Sequence, residues 1–291
     1  MTREEKKLAE ELIRRALKED IGKGDLTTSL CVSSSKKSKA LILAKDRGVL
    51  CGIEIAKKVF KLLDPSLKFR NFKNDGDALT KEDRVAQSIG KATSILTAER
   101  TALNFLSLLS GIATYTRKFV DRIKDTKTKI MDTRKTTPTL RVLEKYAVRV
   151  GGGFNHRRGL WDGILVKDNH LKASKIVYKR RVNIKRLKQV FSLIRSKTDH
   201  KIEIEVESFE EFKKVVFIRP DIVLLDNFNL KAIRKSVEFR NKFFPDIKIE
   251  VSGRVNLGNV KKIAKLGVDF ISVGSITHSP SSLDFSLEIN E

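Results

Sequence analysis

Three features of the 291-residue chain predict an α/β protein in two parts, an α+β layer followed by a parallel (β/α) barrel. Residues 38–92 break into short strand-like pieces around one helical piece. Residues 94–123 then run helical for an unusual length. Beyond them apolar β-branched runs recur, the later ones starting at 202, 222, 249 and 270 with helical patterns between, which is the rhythm of repeating βα units.

Each element has its own signature. Residues 4–19 put Leu8, Leu12, Ile13, Ala16 and Leu17 on one helical stripe against a charged face, which predicts a surface helix. The pieces KALILAKDRGVLCG, LKFRNF and RVAQSIGKA read as strands, IEIAKKVFKLL as a helix and NDGD as a turn. Within residues 94–123, Ser110-Gly111 predicts a break, since glycine costs a helix about 1 kcal/mol against alanine. The domain boundary is placed after this helix, dividing the chain into residues 1–115 and 116–277, with 278–291 returning to the first part. Barrel strands are predicted at 129–133, 164–168, 202–208, 222–226, 249–253 and 270–274.

Sixty Lys and Arg against 36 Asp and Glu give a formal charge of +24, which points to nucleic acid, an acidic membrane surface or a polyanionic small substrate as partner. Lysines are spread from Lys6 to Lys265 without a dense tail, and one Trp with three Tyr offers few stacking platforms, so a nucleic-acid module is disfavoured. The first twenty residues are charged and amphipathic, and no run of eighteen apolar residues follows. The expectation is a cytoplasmic protein with neither signal peptide nor membrane span. Cys31 and Cys51 sit beside apolar residues without metal-ligand spacing and are read as small core residues.

The basic residues gain meaning from residues 132–170, which hold eight Lys/Arg and two His among glycines and turn residues. Arg134-Lys135, His156-Arg157-Arg158 and Lys167 each follow or end a short apolar or turn segment, as side chains converging on one anionic pocket would. Arg134-Lys135, Lys167-Asp168, Glu205-Glu207, Asp226-Asn227, Ser252-Gly253 and Gly274-Ser275 all fall at the C-terminal ends of predicted strands, the face on which barrel enzymes build their sites. Fixed cations, carboxylates and glycine-flanked amides suit phosphoribosyl chemistry. The amides at 252–253 and 273–275 suit a 5-phosphate, and Glu205 with Asp226 suits a magnesium pyrophosphate.

The blocks EDIGKGDLTT (19–28), ERTALNFLSLLSGIAT (99–114), DTRKTTP to KDNH (132–170), EIEVES, LLDNF, EVSG and FISVGSITHS resemble the quinolinate phosphoribosyltransferase family over nearly the whole chain. The resemblance implies an N-terminal α/β sandwich, an incomplete (β/α) barrel, and a homodimer or multiple of dimers in which a barrel mouth faces the partner's sandwich. It implies transfer of phosphoribosyl from phosphoribosyl pyrophosphate to quinolinate, with magnesium, giving nicotinate mononucleotide, pyrophosphate and CO2 in NAD biosynthesis. By motif position, Arg134, His156, Arg157 and Lys167 would bind the quinolinate carboxylates, with Arg100 reaching in from the neighbouring subunit. Lys135 would sit between quinolinate and the pyrophosphate. Glu205 and Asp226 would hold magnesium and the ribose hydroxyls, and Ser252, Gly253 and Gly274 would cradle the 5-phosphate. Asp168 and His170 are read as turn and capping residues.

Two positions depart from the family pattern. Ser252-Gly253-Arg254 stands where the family commonly reads SGG, and Thr137-Pro138-Thr139 where it reads TPG. If the second glycine serves a positive φ, Arg254 costs about 1–2 kcal/mol of strain there.

Overall fold

Thr2 and Glu5 close a capping box at the start of the first helix, Arg3–Ile21: the Thr2 hydroxyl accepts from the Glu5 N–H, and the Glu5 carboxylate accepts from the Thr2 N–H. The buried line of this helix is Ala9, Ile13 and Leu17, while Leu8, on the predicted stripe, stays exposed. The computed structural model describes residues 1–178 and 181–290, so Glu291, the last residue of the predicted returning segment, lies outside the described residues. Contacts divide the chain into one unit of Met1–Arg117, Lys135–Gly153 and Ser275–Glu291 and a second of Lys118–Arg134 and Phe154–Gly274.

The first unit is built on an antiparallel sheet in the order Phe285–Asn290, Lys37–Ala44, Arg84–Lys91, Lys68–Asn71. The C-terminal strand pairs along Lys37–Ala44 from Ala44↔Phe285 to Lys39↔Asn290, so the last residues of the chain complete a sheet begun near its start. IEIAKKVFKLL forms the helix Ile53–Leu63, as its period dictates. Asp75 accepts the N–H groups of Gly52 and Ile53 at its start and receives the Tyr146 hydroxyl at 2.6 Å, tying the Arg141–Val150 helix to the same point.

Two expectations for this unit are corrected. The helix Ala92–Arg122 runs through Ser110-Gly111 without a break. A Cβ on Gly111 would lie 2.4 Å from the Ser281 carbonyl oxygen, so the glycine provides room for the 281–282 backbone rather than an end to the helix. Cys51 is buried as expected, but Cys31 is exposed, at the end of the short helix Leu26–Cys31 whose Leu26 and Leu30 are exposed with it.

The second unit holds a six-stranded parallel sheet in the order Lys129–Met131, Phe270–Ser272, Lys248–Ser252, Ile222–Asp226, Ile202–Val206, Ile164–Val166. Every predicted barrel strand is present, ending within two residues of its expected end. The first and last strands in sequence pair, while the first and second share no ladder; a single bridge, Met131↔Phe154, lies beside that gap. Among the described residues the barrel is therefore incomplete, six strands with an opening between the first and second.

One face of the sheet is apolar: Ile204, Val206, Val223, Leu225, Ile249, Val251 and Ile271 are all buried. The helices Phe209–Val215 and Leu230–Phe243 contact each other through an aromatic set in which Phe239 meets Phe209 and Phe212 edge-on. Ser208 and Asn229 cap these helices a few residues after the strands end. At the opposite ends of the strands, Asp221 accepts the Ile202 N–H and Asp269 the Ile249 N–H, each held in turn by a guanidinium, Arg195 and the buried Arg240. The N-terminal edge is thus fastened by charge, and the C-terminal edge is left to carry loops.

Since the Gly111 position has no room for a side chain, Gly111→Ala should destabilise the protein by about 1–3 kcal/mol, the scale of overpacking. Urea unfolding with wild-type stability would show that the 281–282 segment yields without cost.

Candidate active site at the strand C-termini

Side chains of paired residues in parallel strands point the same way, and along each strand they alternate. The register Glu203↔Ile222 and Glu205↔Leu224, then Leu224↔Glu250 and Asp226↔Ser252, therefore sets Glu203, Glu205, Asp226, Glu250 and Ser252 on one face of the sheet, opposite the apolar one. Lys167, immediately after Ile164–Val166, continues that face in line with Glu205. The structure thus brings Lys167, Glu205, Asp226 and Ser252 together as the C-terminal ends of neighbouring strands. Arg134, His156 and Arg157 follow on the loops of the same unit. Lys135 begins a segment of the first unit, where its carbonyl accepts the Thr277 hydroxyl at 2.7 Å, and Arg100 is exposed on the Ala92–Arg122 helix.

The local partners are specific. The Lys167 ammonium lies 2.6 Å from the Glu205 carboxylate, a pair joining a predicted anion-binding cation to a predicted magnesium ligand. The His170 ring accepts the Lys167 N–H at the start of the Asp168–Ala173 helix, and Asp168 pairs with Lys172, so both residues fill the capping and turn roles expected of them. Asp132 is fully buried and accepts both the Asn155 amide and the His156 N–H, fixing the loop that carries the basic residues. The Arg157 guanidinium donates to the Gly163 carbonyl; burial, and then repulsion from Arg134, hold its pKa below the ordinary value, with the Glu203 charge opposing.

Glu203 and Glu250 were not among the expected site residues, although the period of two in IEIEV and IEVS carries them: each lies two residues before an expected one. Both are buried. The His156 Nε2 lies 3.0 Å from Glu203 and 3.8 Å from Glu250, and the Ser272 hydroxyl donates to Glu250 at 2.6 Å. Burial, and then the Glu203 charge, push the Glu250 carboxyl up to about 8. Among the described residues these three form a group with donor atoms within 4.8 Å of one another, as a metal site would have. A proton accounts for it better than a cation, because the Nε2 stands at hydrogen-bond distance from a carboxylate and the guanidinium of Arg157 already senses the Glu203 charge.

Of the residues expected to cradle a phosphate, Gly253 is tightly determined. Gly253 has φ +92°, and a Cβ there would lie 2.3 Å from the Asn227 Oδ1, so only glycine fits. Arg254 and Thr139, the two departures from the family pattern, have φ +54° and +70°. Both non-glycine residues thus occupy the left-handed region, and the β-branched Thr139 is the more strained.

Comparison with known proteins gives one answer. Residues 25–110 match the family model described as quinolinate phosphoribosyl transferase, N-terminal domain, and residues 112–288 match its C-terminal domain. A probable nicotinate-nucleotide pyrophosphorylase [carboxylating] of Synechocystis sp. is 42% identical over 95% of this chain and 91% of its own length. The Mycobacterium leprae nicotinate-nucleotide pyrophosphorylase [carboxylating] is 38% identical over 97% of both chains. The structure of the Francisella tularensis nicotinate-nucleotide pyrophosphorylase superposes with a TM-score of 0.86 at 37% identity, covering 98% of this chain and 96% of that one.

Two outcomes follow from this geometry. Arg254→Gly should stabilise the protein by about 0.5–1 kcal/mol, the relief of left-handed strain less the entropy of a glycine; a lower denaturation midpoint would show that the Arg254 side chain contributes more than its strain costs. A carboxyl whose folded pKa is raised contributes stability that is complete below its ordinary pKa and lost as pH rises through the folded value, about 8 for Glu250. Wild type should therefore lose melting temperature relative to Glu250→Gln as pH rises from 4.5 to about 8, and parallel melting curves would take the proton away from Glu250.

Proposed function

The chain belongs to the quinolinate phosphoribosyltransferase family, and on that premise we propose how its own residues carry the reaction. The enzyme is a pentosyltransferase that joins the phosphoribosyl group of phosphoribosyl pyrophosphate to quinolinate, releasing pyrophosphate and CO2 and leaving nicotinate mononucleotide for NAD biosynthesis. The observation that supports a common site is the single sheet face on which Lys167, Glu205, Asp226 and Ser252 stand.

Charge governs the mechanism. Quinolinate is a dianion and its co-substrate a polyanion, so they approach only where fixed cations offset their repulsion. In this reading Arg134, Arg157 and Lys167 hold the two carboxylates, with Arg100 of a partner subunit completing the set. His156, expected to bind a carboxylate itself, instead acts beside Arg157, whose N–H its Nδ1 accepts at 2.7 Å while its Nε2 lies 3.0 Å from Glu203. Ser252, Gly253 and Gly274 receive the 5-phosphate, and the positive φ of Gly253 lets backbone approach the oxygens.

Glu205 and Asp226 fit magnesium, because they offer hard carboxylate oxygens on neighbouring strands of one face, and this ion takes one or two carboxylates together with substrate phosphates. When bound, it neutralises charge building on the leaving pyrophosphate. Lys135 supports the same leaving group from its place between the two substrates. As the bond from ribose C1 to the pyrophosphate oxygen breaks, the pyridine nitrogen bonds to C1 and becomes cationic. The electron pair left on C2 when the adjacent carboxylate departs as CO2 is stabilised by that cationic nitrogen, and C2 then takes up a proton.

No helix among the described residues is long and apolar enough to cross a membrane. We assign the enzyme to the cytoplasm, which the exposed free thiol of Cys31 supports, since reducing compartments preserve such groups.

Several measurements test this reading. Quinolinate should release CO2 on turnover while nicotinate is hardly used; equal kcat/KM for both acids would overturn the dianion assignment. Lys167→Ala or Arg134→Ala should lose about 2–5 kcal/mol of transition-state stabilisation with folding intact, and a folded variant at wild-type kcat/KM would return that residue to the solvated surface. Glu205→Ala should weaken the response to added Mg²⁺. Arg100→Ala and Lys135→Ala, each inactive alone, should recover about a quarter of all sites after subunit exchange, whereas no gain in a mixture shown by native mass spectrometry to contain heterodimers would rule out a shared site.

A further inference from the structure

His156 has both ring nitrogens committed to the protein. Its Nδ1 accepts the Arg157 backbone N–H at 2.7 Å, so the ring proton sits on Nε2 and is donated to the Glu203 carboxylate 3.0 Å away. Beneath the ring lies a second carboxylate, Glu250, only 1% exposed. One oxygen of each, Oε1 of Glu203 and Oε2 of Glu250, has no other hydrogen-bond partner. Two buried carboxylates in this relation are satisfied by one proton between them, and the Ser272 hydroxyl completes the Glu250 side. The charged and titratable groups facing the pair are His156 and, above it, the guanidinium of Arg157, which senses both Glu203 and Arg134.

We propose that Glu203 and Glu250 are positioning residues for quinolinate recognition: through His156 they fix the backbone and guanidinium of Arg157 against repulsion from Arg134. The proposal rests on the reading that Arg157 binds a quinolinate carboxylate. Arg157 is tied at two points, its N–H to the His156 ring and its Nη1 to the Gly163 carbonyl. Asp132 anchors the backbone from below by accepting the His156 N–H at 2.8 Å. Arg134 repels the Arg157 guanidinium, and the Glu203 charge opposes that repulsion before any substrate carboxylate arrives. The arrangement leaves the substrate to Arg157, because both ring nitrogens of His156 are spent on the protein.

The test is a set of variants of the full chain, read by Michaelis constants for each substrate, by calorimetric titration with quinolinate alone and by thermal melting. Glu203→Gln should raise the KM for quinolinate about tenfold or more and leave that for phosphoribosyl pyrophosphate within about twofold. His156→Asn, which keeps an acceptor for the Arg157 N–H but cannot reach Glu203, should match it, and the double variant should be no worse than either single one. Glu250→Gln, whose amide can still donate to Glu203, should stay within about threefold of wild type. In an Arg157→Ala background, Glu203→Gln should add less than about a factor of two. Tighter quinolinate binding in Glu203→Gln, equal losses for both substrates, or a full additional loss in the Arg157→Ala background would overturn the proposal. An Arg157→Ala variant with unchanged quinolinate KM would instead strike the reading beneath it, a result distinguishable from failure at Glu203 alone. If Glu203→Gln does not fold, His156→Asn decides the matter, since it leaves both carboxylates in place.

Discussion

The in-register pairing of Ile222–Asp226 with its two neighbours is the constraint on which the site depends. Because Glu205 and Glu250 both pair with Leu224, and Ser252 with Asp226, two carboxylates at the mouth and two below it must share one face. A slip of one residue in either ladder would turn them into the apolar layer that Val223, Leu225, Ile249 and Val251 form on the other side. The penalty is severe, since the Glu205 and Asp226 carboxylates would enter the aliphatic layer. Stability and site geometry are therefore set by the same hydrogen bonds.

Electrostatic balance distinguishes the two ends of that sheet. At the N-terminal ends Asp221 and Asp269 are fully occupied, each accepting a strand N–H and a guanidinium. At the C-terminal ends the cations and carboxylates stand closer to solvent, and the Lys167–Glu205 pair joins groups that the proposed reaction separates between two ligands. Pairing of this kind keeps a strongly charged mouth from repelling itself before polyanions arrive. The deeper carboxylates, Glu203 and Glu250, are buried and face the His156 ring, and burial together with the Glu203 charge pushes the Glu250 carboxyl up.

The two departures from the family pattern are places of backbone strain. Arg254 and Thr139 hold left-handed backbone that glycine would adopt more easily, while Gly253, between Ser252 and Arg254, has no alternative because Asn227 fills the space. Arg254 and Thr139 are both exposed, so their side chains meet solvent.

Local patterns in the chain were enough to place the elements and the side of the sheet on which the chemistry lies. Every barrel strand was legible because β-branched apolar runs have few other uses, and Arg134, Lys167, Glu205, Asp226 and Ser252 were legible because each ends or follows such a run. The family motifs added Arg100 and the glycine cradle. Tertiary structure decided the rest. Gly111 looked like a helix stop, yet its absent side chain serves the 281–282 backbone, a neighbour 170 positions away that no local rule reports. Cys31 looked apolar enough for the core and lies exposed, because burial depends on which helix face finds a partner. Glu203 and Glu250 show the boundary most clearly: period two assigns them a face, but only the curvature that brings nonadjacent strands and the His156 loop together makes them one buried cluster. Local periodicity fixes direction along a strand, and distance across a barrel is a property of the closed chain.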